Sequence, residues 1–131
     1  MPSIKKQVAV NVAAEKAWAA LRRVEDAHKL FAPVLVDGRL DADIRTVTFA
    51  NGMVLRERVL DIDDEKRRVA YAAIDAPGMA YHHASMQVLE DGPNRCQFVW
   101  ITDFYPAEVG ATIAPLIEHG ASALKTNLEA Q

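Results

Sequence analysis

Apolar and polar residues alternate from the start of the chain. Ile4, Lys6, Val8, Val10 and Val12 share one face, and Lys5, Gln7, Ala9 and Asn11 the other. A period of two predicts a half-buried strand over Ile4–Val12. The period then lengthens. Ala14, Ala17, Trp18, Leu21 and Val24 fall at helical spacing, with Glu15 in the first turn and Arg22-Arg23 in the last, charges that complement a helix dipole. Asp26 is placed to cap a second, short helix, Ala27–Phe31, which Pro33 stops. From Val34 onward, strand-like runs are broken by turn residues. The predicted strands are Val34–Leu40, Ile44–Ala50, Val54–Ile62, Arg67–Ile74, Tyr81–Glu90 and Arg95–Tyr105. Such short connections imply antiparallel hairpins. After Pro106, the residues Val109, Ile113, Leu116, Ile117, Gly120, Leu124 and Leu128 form one stripe on a long helix. Pro115 inside it predicts a kink or a break, and Gly110 and Gly120 each weaken it by about 1 kcal/mol against alanine.

The order is strand, two short helices, six strands, long helix. This is an α+β chain with a curved six- to seven-stranded antiparallel sheet, one face of which the C-terminal helix is suited to cover. At 131 residues it is a single domain, 1–131. Half the residues are apolar and a quarter charged, which excludes a disordered or low-complexity chain. A single cysteine, Cys96, leaves no intramolecular disulfide and reads as a small buried apolar residue. The N-terminal residues have no apolar core of a signal peptide, and the longest apolar run is only Phe98–Ile101, so no integral membrane association and a cytoplasmic location are expected. The net charge is −3, and the basic residues come as scattered pairs, Lys5-Lys6, Arg22-Arg23 and Arg67-Arg68. No basic stripe with interleaved aromatics is present, so a nucleic-acid partner is not expected.

Several local motifs resemble the helix-grip superfamily, which includes START lipid-transfer domains, birch-pollen-allergen-type proteins, plant abscisic-acid receptors and bacterial polyketide cyclases. Val10-x-Val12-Ala13-Ala14-Glu15-Lys16-Ala17-Trp18 is similar to its strand-to-helix opening, and Phe31-Ala32-Pro33-Val34 to the end of its second short helix. Arg45–Gly52 followed by Leu55–Val59 is similar to its central hairpin, and Trp100 with Phe104-Tyr105-Pro106 to its last strand running into the long helix. The likeness is greatest to small stand-alone bacterial members of the SRPBCC, or polyketide cyclase/dehydrase-like, type. It implies a ligand cavity between the sheet and the long helix, with no cofactor.

The residues indicate which side chains would face that cavity. A two-residue turn at Asn51-Gly52 would set Val47 opposite Arg56 on one face. A three-residue loop, Asn51-Gly52-Met53, pairs Phe49 with Leu55 and Val47 with Glu57, and the faces agree. Arg45 and Glu57 then both point inward as diagonal neighbours. On the next strand Val69, Tyr71 and Ala73 share a face. Along Tyr81–Glu90, hydrophobicity alone selects His82, Ala84, Met86 and Val88 as inward, whereas comparison with the plant receptors selects Tyr81 and His83, and with them Glu57 and Tyr71. Following the resemblance, the pocket is expected to comprise Arg45, Val47, Phe49, Leu55, Glu57, Tyr71, Tyr81, His83, Trp100, Ile117 and Ala121. A dry apolar cavity of about 300 Å³ would cost roughly 7 kcal/mol, so inward tyrosine, histidine and glutamate fit a polar, wet pocket.

Three functions are compatible with this. The first is a carrier or sensor for a small hydrophobic or amphipathic molecule of lipid, polyketide or aromatic type, gated by the loops Asn51–Met53 and Asp75–Ala80. The second is a polyketide cyclase, aromatase or dehydratase, with Glu57 and His83 as candidate catalytic acid and base and Tyr81 assisting. The third is a protein-interaction module, and a homodimer through the groove or a sheet edge stays open. His82 and His83 point to opposite faces of a strand, and His28 and His119 lie on different helices, so no metal site is expected.

Overall fold

The computed structural model describes residues 2–131. It contains strands β1 (Ser3–Val10), β2 (Leu35–Asp41), β3 (Ile44–Phe49), β4 (Val54–Asp63), β5 (Arg68–Ile74), β6 (Tyr81–Glu90) and β7 (Cys96–Tyr105). Helices α1 (Ala14–Leu21) and α2 (Ala27–Leu30) follow β1, and α3 (Gly110–Glu129) ends the chain. All seven strands form one antiparallel sheet in the order β1-β7-β6-β5-β4-β3-β2. Strands β2 to β7 form a meander in which each pairs with its neighbour in sequence, and β1 closes against β7. The expected α+β helix-grip architecture is present.

The element ends show where local pattern and packing part. Strand β1 stops at Val10, and Val12 packs on the core from outside the strand. Helix α1 ends at Leu21, so Arg22-Arg23 are not its last turn. The Arg22 guanidinium instead donates 2.9 Å to Asp64 Oδ1, which also accepts the Trp18 indole N–H at 2.9 Å. Helix α2 is a single turn, and the Asp26 side chain does not cap it; its carboxylate pairs with Lys29 at 3.5 Å. Helix α3 runs through Pro115 without a break. Val109 belongs to a 3₁₀ turn, Ala107–Val109, that precedes it.

The hairpin from β3 to β4 is closed by a three-residue loop, Ala50-Asn51-Gly52, not Asn51-Gly52-Met53. Phe49 N–H donates to the Met53 carbonyl at 2.8 Å, and Asn51 Oδ1 accepts the Met53 N–H at 2.9 Å. Gly52 takes φ +90°, a conformation that costs a glycine nothing. Val47 therefore faces Leu55, and Arg45 faces Glu57 directly rather than diagonally. This differs from the expected register by two residues, and a two-residue shift leaves every side chain on its predicted face.

The main core lies under β1, β7, β6 and β5. Val10, Val69, Val88, Phe98, Leu124 and Leu128 are each 2% exposed or less, and they pack with α1 and the C-terminal half of α3. Helix α3 lies over β1 and against α2. Among the described residues, no element of comparable size lies over the inner face of β3, the start of β4 and the end of β5. Two small apolar clusters flank that gap, one built on Ala27, Leu35 and Val47 and one on Phe104, Ile113 and Ile117.

The seat of α3 is tied by Asn127, whose Nδ2 donates to the carbonyls of Leu30 and Ala32, each at 2.8 Å. Asn127→Ala removes two hydrogen bonds worth about 1 kcal/mol each. Urea unfolding should show a loss of about 2 kcal/mol with an unchanged m-value, since the surface exposed on unfolding stays the same.

Candidate ligand-binding site

The gap between sheet and helix is a cavity of about 390 Å³. Apolar walls come from Phe31, Val47, Phe49, Leu55, Ile113, Leu116 and Ile117, and its mouth carries Met53, Pro77 and Met79. Polar groups on the sheet side are Arg45, Glu57, Tyr71, His82 and Thr102, and α3 adds Thr112.

Arg45 and Glu57 are 8% and 7% exposed. Arg45 Nε and Nη2 donate to the same oxygen, Glu57 Oε1, at 3.0 and 2.8 Å. Arg45 Nη1 donates 3.3 Å to the carbonyl of Val24, in the 3₁₀ turn that leads into α2. No protein hydrogen bond reaches Glu57 Oε2 among the described residues. The guanidinium also lies 5.1 Å from the centre of the Tyr71 ring, a cation–π arrangement. Tyr71 O accepts the Trp100 indole N–H at 3.1 Å. Burial, then the nearby Glu57 carboxylate, holds the Tyr71 hydroxyl well above its ordinary pKa, so it stays protonated.

Trp100 spans from sheet to helix. Its ring tilts against Phe31 at 5.6 Å between centroids. It also lies so close to α3 that a Cβ on Gly120 would stand 3.0 Å from it. Gly120, which weakens the helix locally, thus gives the indole its place at one end of the cavity.

His82 holds its position through an interruption of the sheet. The β5–β6 ladder runs from Arg68↔Gln87 to Tyr71↔Ala84 and stops. Two residues further on, the Ala73 N–H donates to His82 Nδ1 at 2.9 Å. The imidazole replaces the next ladder bond and lets the two strands part toward the mouth. Because Nδ1 accepts a backbone N–H, the ring proton of neutral His82 sits on Nε2. Nε2 has no protein hydrogen bond among the described residues. Burial, and then the charge of His83, pushes the His82 pKa down to about 4, so the ring is neutral near pH 7.

Eight of the eleven expected pocket residues line the cavity: Arg45, Val47, Phe49, Leu55, Glu57, Tyr71, Trp100 and Ile117. Three do not. Tyr81 is 47% exposed, and His83 lies with it on the outer face, because β6 presents His82, Ala84, Met86 and Val88 inward. Ala121 is buried in the helix packing without reaching the cavity. The inward face of β6 is the one its hydrophobic alternation indicated, and His82, like Ala73 and Thr102, lines the cavity from outside the expected set. Among the described residues, no group of three or more His, Cys, Asp or Glu side chains is arranged to hold a metal ion. Among the described residues, no helix is long and apolar enough to cross a membrane.

Comparison with known proteins places these features in context. The family model described as polyketide cyclase / dehydrase and lipid transport matches residues 1–130. No curated protein matches the chain. A START superfamily protein from Mycobacterium smegmatis superposes with a TM-score of 0.82 at 14% identity, over 98% of this chain and 97% of that one. The di-domain ARO/CYC protein BexL of the BE-7585A biosynthetic pathway gives 0.85 at 14% identity, over 98% of this chain and 47% of that one. Norcoclaurine synthase from Thalictrum flavum gives 0.74 at 20% identity, over 97% and 93%. At such identities the likeness is one of fold.

Removing one member of a buried ion pair strands the other, at about 3–5 kcal/mol. Glu57→Ala should lower the unfolding free energy by that amount. The double variant Arg45→Met/Glu57→Leu should return to within about 1 kcal/mol of the parent, because well-packed apolar replacements avoid the desolvation of both charges.

His82 also sets a pH dependence. Its folded pKa is about 4, against an ordinary 6.5. Between those values the unfolded chain binds a proton that the folded chain does not, so stability falls as pH drops through the window. The full effect is about 3 kcal/mol. His82→Asn keeps an acceptor for the Ala73 N–H and does not titrate. Urea unfolding at pH 7 and pH 4 should show the parent losing about 3 kcal/mol more than this variant.

Proposed function

Because the chain belongs to the polyketide cyclase, dehydrase and lipid transport family, we propose that it binds a small hydrophobic or amphipathic molecule in the cavity between sheet and α3, as a carrier or sensor. Molecules of lipid, polyketide or aromatic type fit its walls. The observation that carries this reading is the cavity itself, about 390 Å³ of space with apolar walls and a few convergent polar groups. Left dry, such a volume would cost ~9 kcal/mol in lost packing, comparable to the whole stability of a typical domain. The space therefore holds water or a ligand. The loop from Asp75 to Ala80 and the β3–β4 hairpin supply Ala76, Pro77, Met79 and Met53 to its rim, where they can gate entry.

Acid–base catalysis of the cyclase kind finds less support in the lining. His82 has its basic nitrogen engaged by a backbone N–H, Glu57 is neutralised by Arg45, and Tyr71 holds its proton. His83 and Tyr81 stand on the outer face, away from any substrate in the cavity.

The test has two parts. Native mass spectrometry of the purified protein, with denaturing extraction, should detect a co-purifying small molecule. Nile red, a neutral dye that brightens in apolar surroundings, should then titrate the emptied protein saturably at one per chain. Ala73 lines the cavity, and Ala73→Trp should place an indole in it and abolish the dye signal while cooperative unfolding is retained. Non-saturable dye binding, or an unchanged signal in folded Ala73→Trp, would overturn the proposal.

A further inference from the structure

The titratable groups on the cavity wall are Arg45, Glu57, Tyr71 and His82. Their charges cancel: Arg45 pairs with Glu57, and neither Tyr71 nor His82 is ionised near pH 7. All three guanidinium nitrogens of Arg45 are engaged, two by Glu57 Oε1 and one by the Val24 carbonyl. Hydrogen-bonding capacity remains at the second N–H of Arg45 Nη1 and Nη2, at the Tyr71 O–H and at the Thr102 and Thr112 hydroxyls. Two further sites flank Ala73. One is an acceptor, Glu57 Oε2. The other is a donor, the Nε2–H of His82, whose tautomer is fixed by the Ala73 N–H.

The residues that carry these two sites flank a single small residue. Glu57 stands opposite Ala73 in the β4–β5 register, and the Ala73 amide is bonded to His82. The backbones of β4 and β6 lie about 10 Å apart, two strand spacings, and the side chain between them ends at Cβ. A ligand's polar end can therefore settle over Ala73 with an acceptor on one side and a donor on the other.

We infer that the cavity selects an electrically neutral ligand whose polar end is a hydroxyl, or an equivalent group that both donates and accepts, seated over Ala73 between Glu57 Oε2 and His82 Nε2–H. This deepens the reading of the cavity as a binding site and rests on it. A hydroxyl satisfies both sites at once. A carboxylate would lose its hydration, meet the Glu57 carboxylate and find no free cation, since the one guanidinium on the wall is already committed. An ammonium would gain Oε2 but would face the Arg45 charge and the His82 donor. An ion desolvated without a partner is disfavoured in either case.

Displacement of Nile red at pH 7.5 by 1-decanol, decanoate and decylammonium tests the inference with three probes that share one alkyl chain. Decanol should bind at least tenfold more tightly than either ion. Glu57→Gln leaves the Arg45 charge without its counter-ion, so decanoate should gain on decanol by tenfold or more in that variant. His82→Phe removes the donor and should lower decanol affinity at least fivefold. Should Glu57→Gln not fold, the order of the three probes on the parent protein decides alone. If Nile red binds but decanoate competes as well as decanol, the charge-neutral selection is wrong and the cavity remains a binding site. If neither dye nor any probe binds, the reading of the cavity has failed, and this inference with it.

Discussion

Two charges taken out of water on the inner face of the sheet constrain everything near them. A guanidinium or a carboxylate alone at under one-tenth exposure would be untenable, so Arg45 and Glu57 must meet. They meet because β3 and β4 pair with these residues opposite each other. A slip of one residue would put them on opposite faces of the sheet, and a slip of two would separate them. The same guanidinium reaches Val24 and lies over the Tyr71 ring. One ion pair thereby joins β3, β4, β5 and the connection between α1 and α2. Its net gain in stability is small, because desolvation offsets most of the attraction. What it supplies is a fixed arrangement at the polar side of the cavity.

The cavity follows from uneven cover. Helix α3 buries its small and aliphatic face, Gly120, Ala121, Leu124 and Leu128, toward the end of the sheet that holds β1. The other end curves away with nothing as large upon it. Collapse is resisted at two points. Trp100 stands between sheet and helix, held by Phe31, Tyr71 and the bare backbone at Gly120. At the other, the imidazole of His82 replaces a ladder bond and parts β5 from β6 without leaving the Ala73 N–H unsatisfied. Each device accepts a local loss, a glycine within a helix or an interrupted ladder, and each keeps space open.

Much of this is legible in the residues alone. Strict alternation in β1, β3 and β7, and the stripe on α3, are dictated by burial of one face, so the elements and their inward residues follow from period. The inward placement of Arg45 and Glu57 is legible for the same reason, even though the three-residue loop lies one position earlier than expected, because the register then moves by an even number of residues. What period cannot supply is the end of an element. Arg22 leaves α1 because Asp64, distant in sequence, offers it and Trp18 a better partner. The inward face of β6 was legible too. Ala84, Met86 and Val88 outweigh Tyr81 when the strand packs on a core, and an analogy with distant relatives pointed the other way. An analogy between pockets transfers a fold more safely than a face, since one residue of offset exchanges the two sides of a strand.

That exchange bears on chemistry. With His83 inward, the cavity would hold an imidazole beside a carboxylate, the makings of an acid–base pair. With His82 inward, the imidazole on the described wall has its basic nitrogen occupied by the Ala73 amide and keeps only a donor, Nε2–H. The carboxylate is matched by a guanidinium, and the phenol keeps its proton. Every ionisable group on the wall is thus spent in holding another group still. Fold likeness alone does not separate proteins that bind from proteins that transform. The protonation state of the wall does bear on that question. A paired guanidinium and carboxylate, a phenol that keeps its proton and a neutral imidazole can position a molecule and tell its polar end from its apolar end. On the proposed reading of the cavity, a surface of that kind serves recognition.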